Sequence, residues 1–197
     1  MADWTSLRYV VVDVEGNGRQ PPDLVELATV PIADGVIGEP VSWLVRPDMP
    51  ITPLGRKIHG IRNEHVTDAP VFAKIKGEVL RALDRAAIVA HNAHVDVDVL
   101  QRKLGDWECP EVFDTLKLAR RLLPGQASYR LGSLTKELNL ADGLPGGLTP
   151  HRATYDALVA ARLFVRLVTL RSTGPLSVEE LRGQAMSGQA MMSWREP

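Results

Sequence analysis

The stretch "YVVVDVEGNG" (residues 9–18) sets an apolar run against two carboxylates and closes on two glycines flanking an asparagine. Its first part, Tyr9 to Val14, is short and valine-rich and reads as a buried strand. Residues i and i+2 of a strand point to the same face, so Asp13 and Glu15 share a face where that strand ends. Two like charges side by side are costly to bury unless something positive compensates them. One reading is a polar strand end open to solvent; the other is a site that gathers positive charge.

Outward from that strand, "LVELATVPI" (24–32) reads as a second strand. After the turn signal "ADG", "VIGEPVSWLVRP" (36–47) reads as a third, bulged near Gly38 and Pro40. Short connections make these three an antiparallel meander. The pattern then alternates: a helix over 71–84, a strand over 86–92, a helix over 95–105, a strand over 111–114 and helices over 115–125 and 131–140. The longest helix is expected over 151–171, with Thr149 as its N-cap and Pro150 beside it. The order predicts an α/β chain with a mixed five-stranded sheet, three antiparallel strands followed by parallel ones, flanked by helices. A domain over 1–171 and a tail over 172–197, docked or partly mobile and helical over 178–186, are expected.

The bulk properties exclude little but agree. The 197 residues are 45% hydrophobic and 24% charged, with a formal net charge of −1, enough for one domain and no basic signature of nonspecific nucleic-acid capture. A single cysteine, Cys109, allows no internal disulfide and fits a reducing cytoplasm. "MADWTSLRYVVVD" lacks a basic segment ahead of a long apolar run, and no stretch reaches the ~18 apolar residues of a membrane span. A cytoplasmic protein with no membrane contact is expected.

Two further acids bear on the opening question. In "HNAHVDVDVL" (91–100) Asp96 falls in the first turn of a helix, and Asp98 lies about 200° around it, so only one faces inward. In "HRATYDALVAARLF" Asp156 precedes an apolar run; a salt bridge to a nearby arginine is its plainer role. If Asp13, Glu15, Asp96 and Asp156 meet, mutual repulsion forbids an empty ionised site, and oxygen-seeking divalent cations resolve it. Two such ions can clamp the attacking and leaving oxygens of a phosphodiester. His151 lies five residues before Asp156, about 500° of helix away, so it acts from the loop or the first turn. Free histidine titrates near about pH 6.5, which suits it to accept a proton from water; a histidine merely capping the helix is the alternative.

These residues resemble a known family. "DVEGNG" is similar to a D-x-E first motif, "HNAHVD" to an N-A-x-F-D second motif and "HRATYD" to an H-x-x-x-x-D third motif. Together, in this order, they resemble the DEDDh 3′–5′ exonucleases, which include the epsilon subunit of bacterial DNA polymerase III, ribonuclease T and oligoribonuclease. "DLVELATVPI", "IHGIRNEHV", "VFDTLKLAR" and "SYRLGSL" add to the likeness, which covers about residues 8–170. The tyrosine subclass has Tyr-x-x-x-Asp in the third motif; Arg152 stands at that position here, so the histidine subclass is implied.

The resemblance implies an RNase H-like fold and a hydrolase releasing nucleoside 5′-monophosphates from 3′ ends. Asp13, Glu15, Asp96 and Asp156 would bind two divalent ions, Mg2+ or Mn2+, and His151 would activate water. Val14, Gly16, Asn17, His59 and Asn92 are the implied substrate-binding residues. Gly16-Asn17-Gly18 stands where relatives often have Thr-Thr-Gly, and Val95 where phenylalanine is usual. The partners expected are single-stranded DNA or RNA 3′ ends, with Arg120, Arg121 and Arg130 as candidates for a phosphate-binding patch, an ordinary surface arginine being the alternative for each. A polymerase or a second copy of the chain is the partner considered for the tail. The alternatives are a phosphodiesterase for very short oligonucleotides or small phosphate esters, and a polymerase-associated interaction module.

Overall fold

A computed structural model describes residues 2–171 and 174–183. Strand β1 (Tyr9–Gly16) is the centre of the sheet, antiparallel to β2 (Leu24–Ala33) and parallel to β5 (Ala87–Ala90). A strand paired on both edges and covered on both faces needs apolar residues at successive positions, which is why Tyr9 to Val12 form an unbroken apolar run. Strand β6 (Val112–Asp114) extends the parallel half beyond β5. The third strand is split into β3 (Val36–Ile37) and β4 (Val41–Leu44), both antiparallel to β2, giving the order β3-β2-β1-β5-β6 with β4 also on β2. Gly38 and Pro40 lie in the break: proline has no N–H for the ladder, and the Gly38 N–H turns to the Pro31 carbonyl at 2.8 Å. The mixed sheet is as expected, its third member interrupted.

The pleat divides β1 between two cores. Val10 and Val12 pack with Phe72 and Val79 of α3 (Phe72–Leu83) and with Val99 and Leu100 of α4 (His94–Leu104). Tyr9 and Val11 face the opposite way, onto Val159, Leu163 and Phe164 of α7 (Ala153–Val168). Tyr9 and Phe164 lie with ring centroids 4.9 Å apart, and the buried Tyr9 hydroxyl donates to the Trp4 carbonyl at 2.7 Å. Helices α5 (Thr115–Leu122) and α6 (Leu131–Glu137) pack against α7. The alternation continues along β1, so Asp13 and Glu15 leave the strand on the α7 side.

Two expectations need correction. Residues 51–66 carry two helices that the reading passed over, α1 (Pro53–His59) and α2 (Asn63–Val66). The signals for α1 were present: Thr52 caps it by accepting the Gly55 N–H, Pro53 stands in the first turn, and Gly60 closes it at φ 72°. Second, α7 begins at Ala153 with Arg152 as N-cap, not at 151 with Thr149. His151 adopts φ 61° and stays outside the helix, because Glu26 on β2 captures Arg152 and the Ala153 N–H. The described residues of the expected tail pack against the fold. Leu176 and Leu181, the latter in the short α8 (Val178–Leu181), are buried in the α7-side core, and Ser177 bridges to Asp3. The remainder of the expected tail, 172–173 and 184–197, lies outside the described residues.

Candidate metal centre and cleft

The end of β1 delivers Asp13 and Glu15 toward the first turn of α7, where Asp156 stands. One carboxylate oxygen from each of Asp13, Glu15 and Asp156 lies within 4.8 Å of the others. Asp96 is not in this triple convergence. It is buried in the first turn of α4, and its Oδ1 accepts the Val14 N–H at 3.0 Å, tying α4 to the strand end between the two acids. Its charge still reaches Asp13. Asp98, the other acid of the pair, is exposed and bonds Arg102 one turn away at 3.1 Å.

The electrostatics of this cluster are those of an uncompensated site. Burial, and then the charges of Asp96, Asp156, Glu15 and Glu26, hold Asp13 well above the usual carboxylate range. Burial leads again at Glu15, helped by Asp156 and Glu26, and pushes it up to about 8. Asp96 is raised to about 7 by burial, against the Val14 hydrogen bond that favours its anion. Asp156 is raised to about 6 by burial, with His151 pulling the other way. Oxygen donors gathered at this spacing with no cation side chain among them are the donor chemistry of a hard divalent ion.

His151 is exposed, lies outside α7 and donates its backbone N–H to Asp156 Oδ2 at 3.1 Å. Asp13, Asp156 and His151 line one cleft of about 930 Å3, which continues past Asn92 and Tyr129 to Arg120, Arg130 and Lys136. Arg120 stands over the Tyr129 ring, 6.0 Å from its centroid. Arg121 does not join them: it turns to α8 and donates to the Glu180 carbonyl at 2.8 Å.

The remaining expected residues separate into those facing the cleft and those building its wall. Asn92, in a left-handed conformation at φ 69°, gives its N–H to Asp114 and lines the cleft. Asn17 is fully buried: its side chain donates to the Met49 carbonyl at 3.1 Å and accepts from Arg19 and Asp23, and its N–H goes to the Asp23 carbonyl. His59 is buried and accepts the Ile61 N–H on Nδ1 at 3.0 Å. Nε2 therefore carries the proton and donates to the Gly16 carbonyl at 3.1 Å. Both side chains fix the backbone after Glu15 from behind. Gly18 explains the second glycine of "GNG": at φ 79°, a Cβ there would strike Thr52 Oγ1 and come within 2.7 Å of the Gly55 nitrogen.

Two wall elements were missed in the sequence. His91 spans Thr115 Oγ1 and the Tyr129 carbonyl, each at 2.9 Å, and so seats the Tyr129 segment against β5. Glu26, buried on β2 opposite Glu15 in register, grips Arg152 with both oxygens at 2.9 and 2.6 Å. The only sequence signal for Glu26 was a charge amid the apolar run "LVELATVPI".

Known proteins place this arrangement. The Exonuclease (RNase_T) family pattern matches residues 10–164. Exodeoxyribonuclease 10 of Escherichia coli strain K12 is 38% identical over 171 residues, covering 87% of this chain and 72% of that protein. The 3′-5′ exonuclease DinG of Bacillus subtilis strain 168 is 33% identical over 183 residues, 89% of this chain but 19% of that longer protein. Among solved structures, Exonuclease X in complex with 5′ overhanging duplex DNA superposes with a TM-score of 0.70 at 37% identity, covering 82% of this chain and 92% of that one. The chain belongs to the Exonuclease (RNase_T) family and, within it, to the DEDDh 3′–5′ exonucleases with their RNase H-like fold.

Proposed function

We propose that the chain removes nucleotides from 3′ ends of DNA, with Asp13, Glu15, Asp96 and Asp156 holding two divalent ions and His151 acting as general base. The observation that carries this is the convergence of Asp13, Glu15 and Asp156 oxygens within 4.8 Å on a cleft that His151 also lines. Mg2+ or Mn2+ held there would supply the charge that offsets the four acids and the negative charge developing on the phosphoryl oxygens. His151, exposed beside Asp156, takes the proton of the attacking water, and the product is a nucleoside 5′-monophosphate. Arg120, Arg130 and Lys136 meet the phosphates of the strand entering along the cleft. Asn92 contacts the terminal nucleotide directly, with the backbone of Val14 and Gly16 beside it, while Asn17 and His59 act by holding that backbone. The catalytic unit is placed over 1–171, with Leu176 and Leu181 packed on its α7 side.

DNA is preferred over RNA as substrate because two proteins similar to this chain are an exodeoxyribonuclease and an exonuclease in complex with duplex DNA. Digestion of 5′-labelled single-stranded DNA, 5′-overhanging duplex DNA and matched RNA, with Mg2+, Mn2+ or EDTA, tests this. A ladder shortening from the 3′ end, faster on DNA and lost in EDTA, is expected. RNA degraded faster than DNA would overturn the substrate assignment, and intact oligomers under both ions would overturn the activity.

A further inference from the structure

Glu26 and Arg152 form the one bidentate ion pair among the described residues that lies beside the acidic cluster. Glu26 is 4% exposed, and a buried carboxylate already close to Asp13, Glu15 and Asp156 adds to their repulsion. For stability alone, apolar residues in place of the whole pair would often serve as well or better. The pair is therefore better explained by what it holds than by what it contributes to folding.

What it holds is the entrance to α7. Arg152 is the N-cap of that helix and makes no side-chain cap bond of its own. Glu26 supplies the missing acceptor: its Oε2 takes both the Arg152 Nε–H at 2.9 Å and the Ala153 N–H at 3.0 Å. This stops the helix at Ala153 and leaves His151 outside it at φ 61°. In that conformation the His151 N–H reaches back to Asp156 Oδ2 at 3.1 Å. One side of the chain of contacts is thus a buried acid on β2, and the other is both functional groups of the third motif. The register adds to it: Glu26 is the cross-strand partner of Glu15, so the clamp and the cluster share one rung of the sheet.

We propose that Glu26 and Arg152 are a positioning pair for the centre, setting the His151 backbone and the direction of the Asp156 carboxylate without touching substrate. The inference rests on the reading of His151 and Asp156 given above. Arg152 is not among the residues lining the cleft; its Nε and Nη2 are spent on Glu26, and its carbonyl accepts the Asp156 N–H at 3.0 Å.

The test is a double-mutant cycle of Glu26→Gln, Arg152→Met and the double variant, read by kcat and KM on single-stranded DNA and by Mn2+ affinity from calorimetry without substrate. Arg152→Met strands a buried charge and can unfold the protein, but the double variant removes both charges and is expected to fold with a melting temperature near wild type. In the double variant kcat should fall about 10- to 100-fold with KM within about twofold, and Mn2+ should bind about 10-fold more weakly, the usual scale for residues that orient ligands. Glu26→Gln alone should lose nearly as much, so the losses do not add, and Arg152→Lys should recover part of kcat. A folded double variant with wild-type kcat and wild-type Mn2+ affinity overturns the proposal. A wild-type protein inactive on every nucleic acid overturns the exonuclease reading instead, and the Mn2+ arm then still decides whether the pair orients the acids.

Discussion

His151 donates its backbone N–H to Asp156 at 3.1 Å, so the histidine and the aspartate of the third motif are joined through the main chain. The side chain is left exposed at the cleft. Removing it should therefore leave the acidic cluster in place. We predict that His151→Ala lowers kcat by about 10²- to 10⁴-fold, the scale of general-base loss, while Mn2+ affinity stays within about twofold of wild type. A parallel loss of metal affinity would show that the ring supports the cluster itself.

The acids repel one another when no cation is bound, so function costs stability at this site. Glu15→Gln, at a side chain only 8% exposed, is predicted to raise the melting temperature of the metal-free protein by roughly 2–4 °C, equivalent to about 1 kcal/mol in a chain of this size. The same variant is predicted to lose turnover under Mg2+. Calorimetric melting in EDTA, paired with the oligonucleotide assay, checks both. A metal-free variant that melts below wild type would mean that Glu15 is already compensated.

The pH dependence has a definite sign. Burial raises Glu15 to about 8, Asp96 to about 7 and Asp156 to about 6, with repulsion from Asp156 and Glu26 adding at Glu15, all above their values in an unfolded chain. The native state then binds more protons than the unfolded state between about pH 4 and 8, so stability must fall as pH rises through that window. We predict a metal-free melting temperature that declines from pH 5 to pH 9. Mg2+ binds the ionised acids, so its stabilising increment should grow over the same range. A Mg2+ increment equal at pH 5 and pH 9 would contradict the assignment of the raised acids to the metal site.

The three arginines read from the sequence as one patch are predicted to separate by salt dependence. Arg120→Ala and Arg130→Ala should each weaken oligonucleotide binding and lower the slope of log affinity against log salt by about 0.7, since each side chain lies on the cleft. Arg121→Ala should leave the slope unchanged and lower the melting temperature slightly, because its guanidinium holds the α8 backbone. Fluorescence anisotropy over a salt series separates the two outcomes.

Much of this was legible in the sequence because period and spacing act locally. The two-residue alternation of β1 placed Asp13 and Glu15 on one face, and the 3.6-residue turn set Asp96 against Asp98. What was not legible depends on pairing across the sheet. Glu26 carries no meaning until β2 is laid against β1 and its carboxylate meets Arg152, 126 residues away. That same contact moves the N-cap of α7 from Thr149 to Arg152, a case of a tertiary acceptor outweighing a local capping signal. The first motif suggests Asn17 as a substrate contact; that its side chain is held by Met49, Arg19 and Asp23 shows only once the loop is folded. α1 was a different failure: its cap, proline and closing glycine are local signals that could have been read.

The proposed two-ion centre joins the end of β1 to the start of α7. Electron paramagnetic resonance of Mn2+ titrated into the wild-type protein and into Asp13→Asn at pH 8 tests it most directly. The account predicts two Mn2+ per wild-type chain, magnetically coupled through their proximity, with the coupled signal lost in the variant. Uncoupled binding, or the same stoichiometry and coupling in Asp13→Asn, would contradict it.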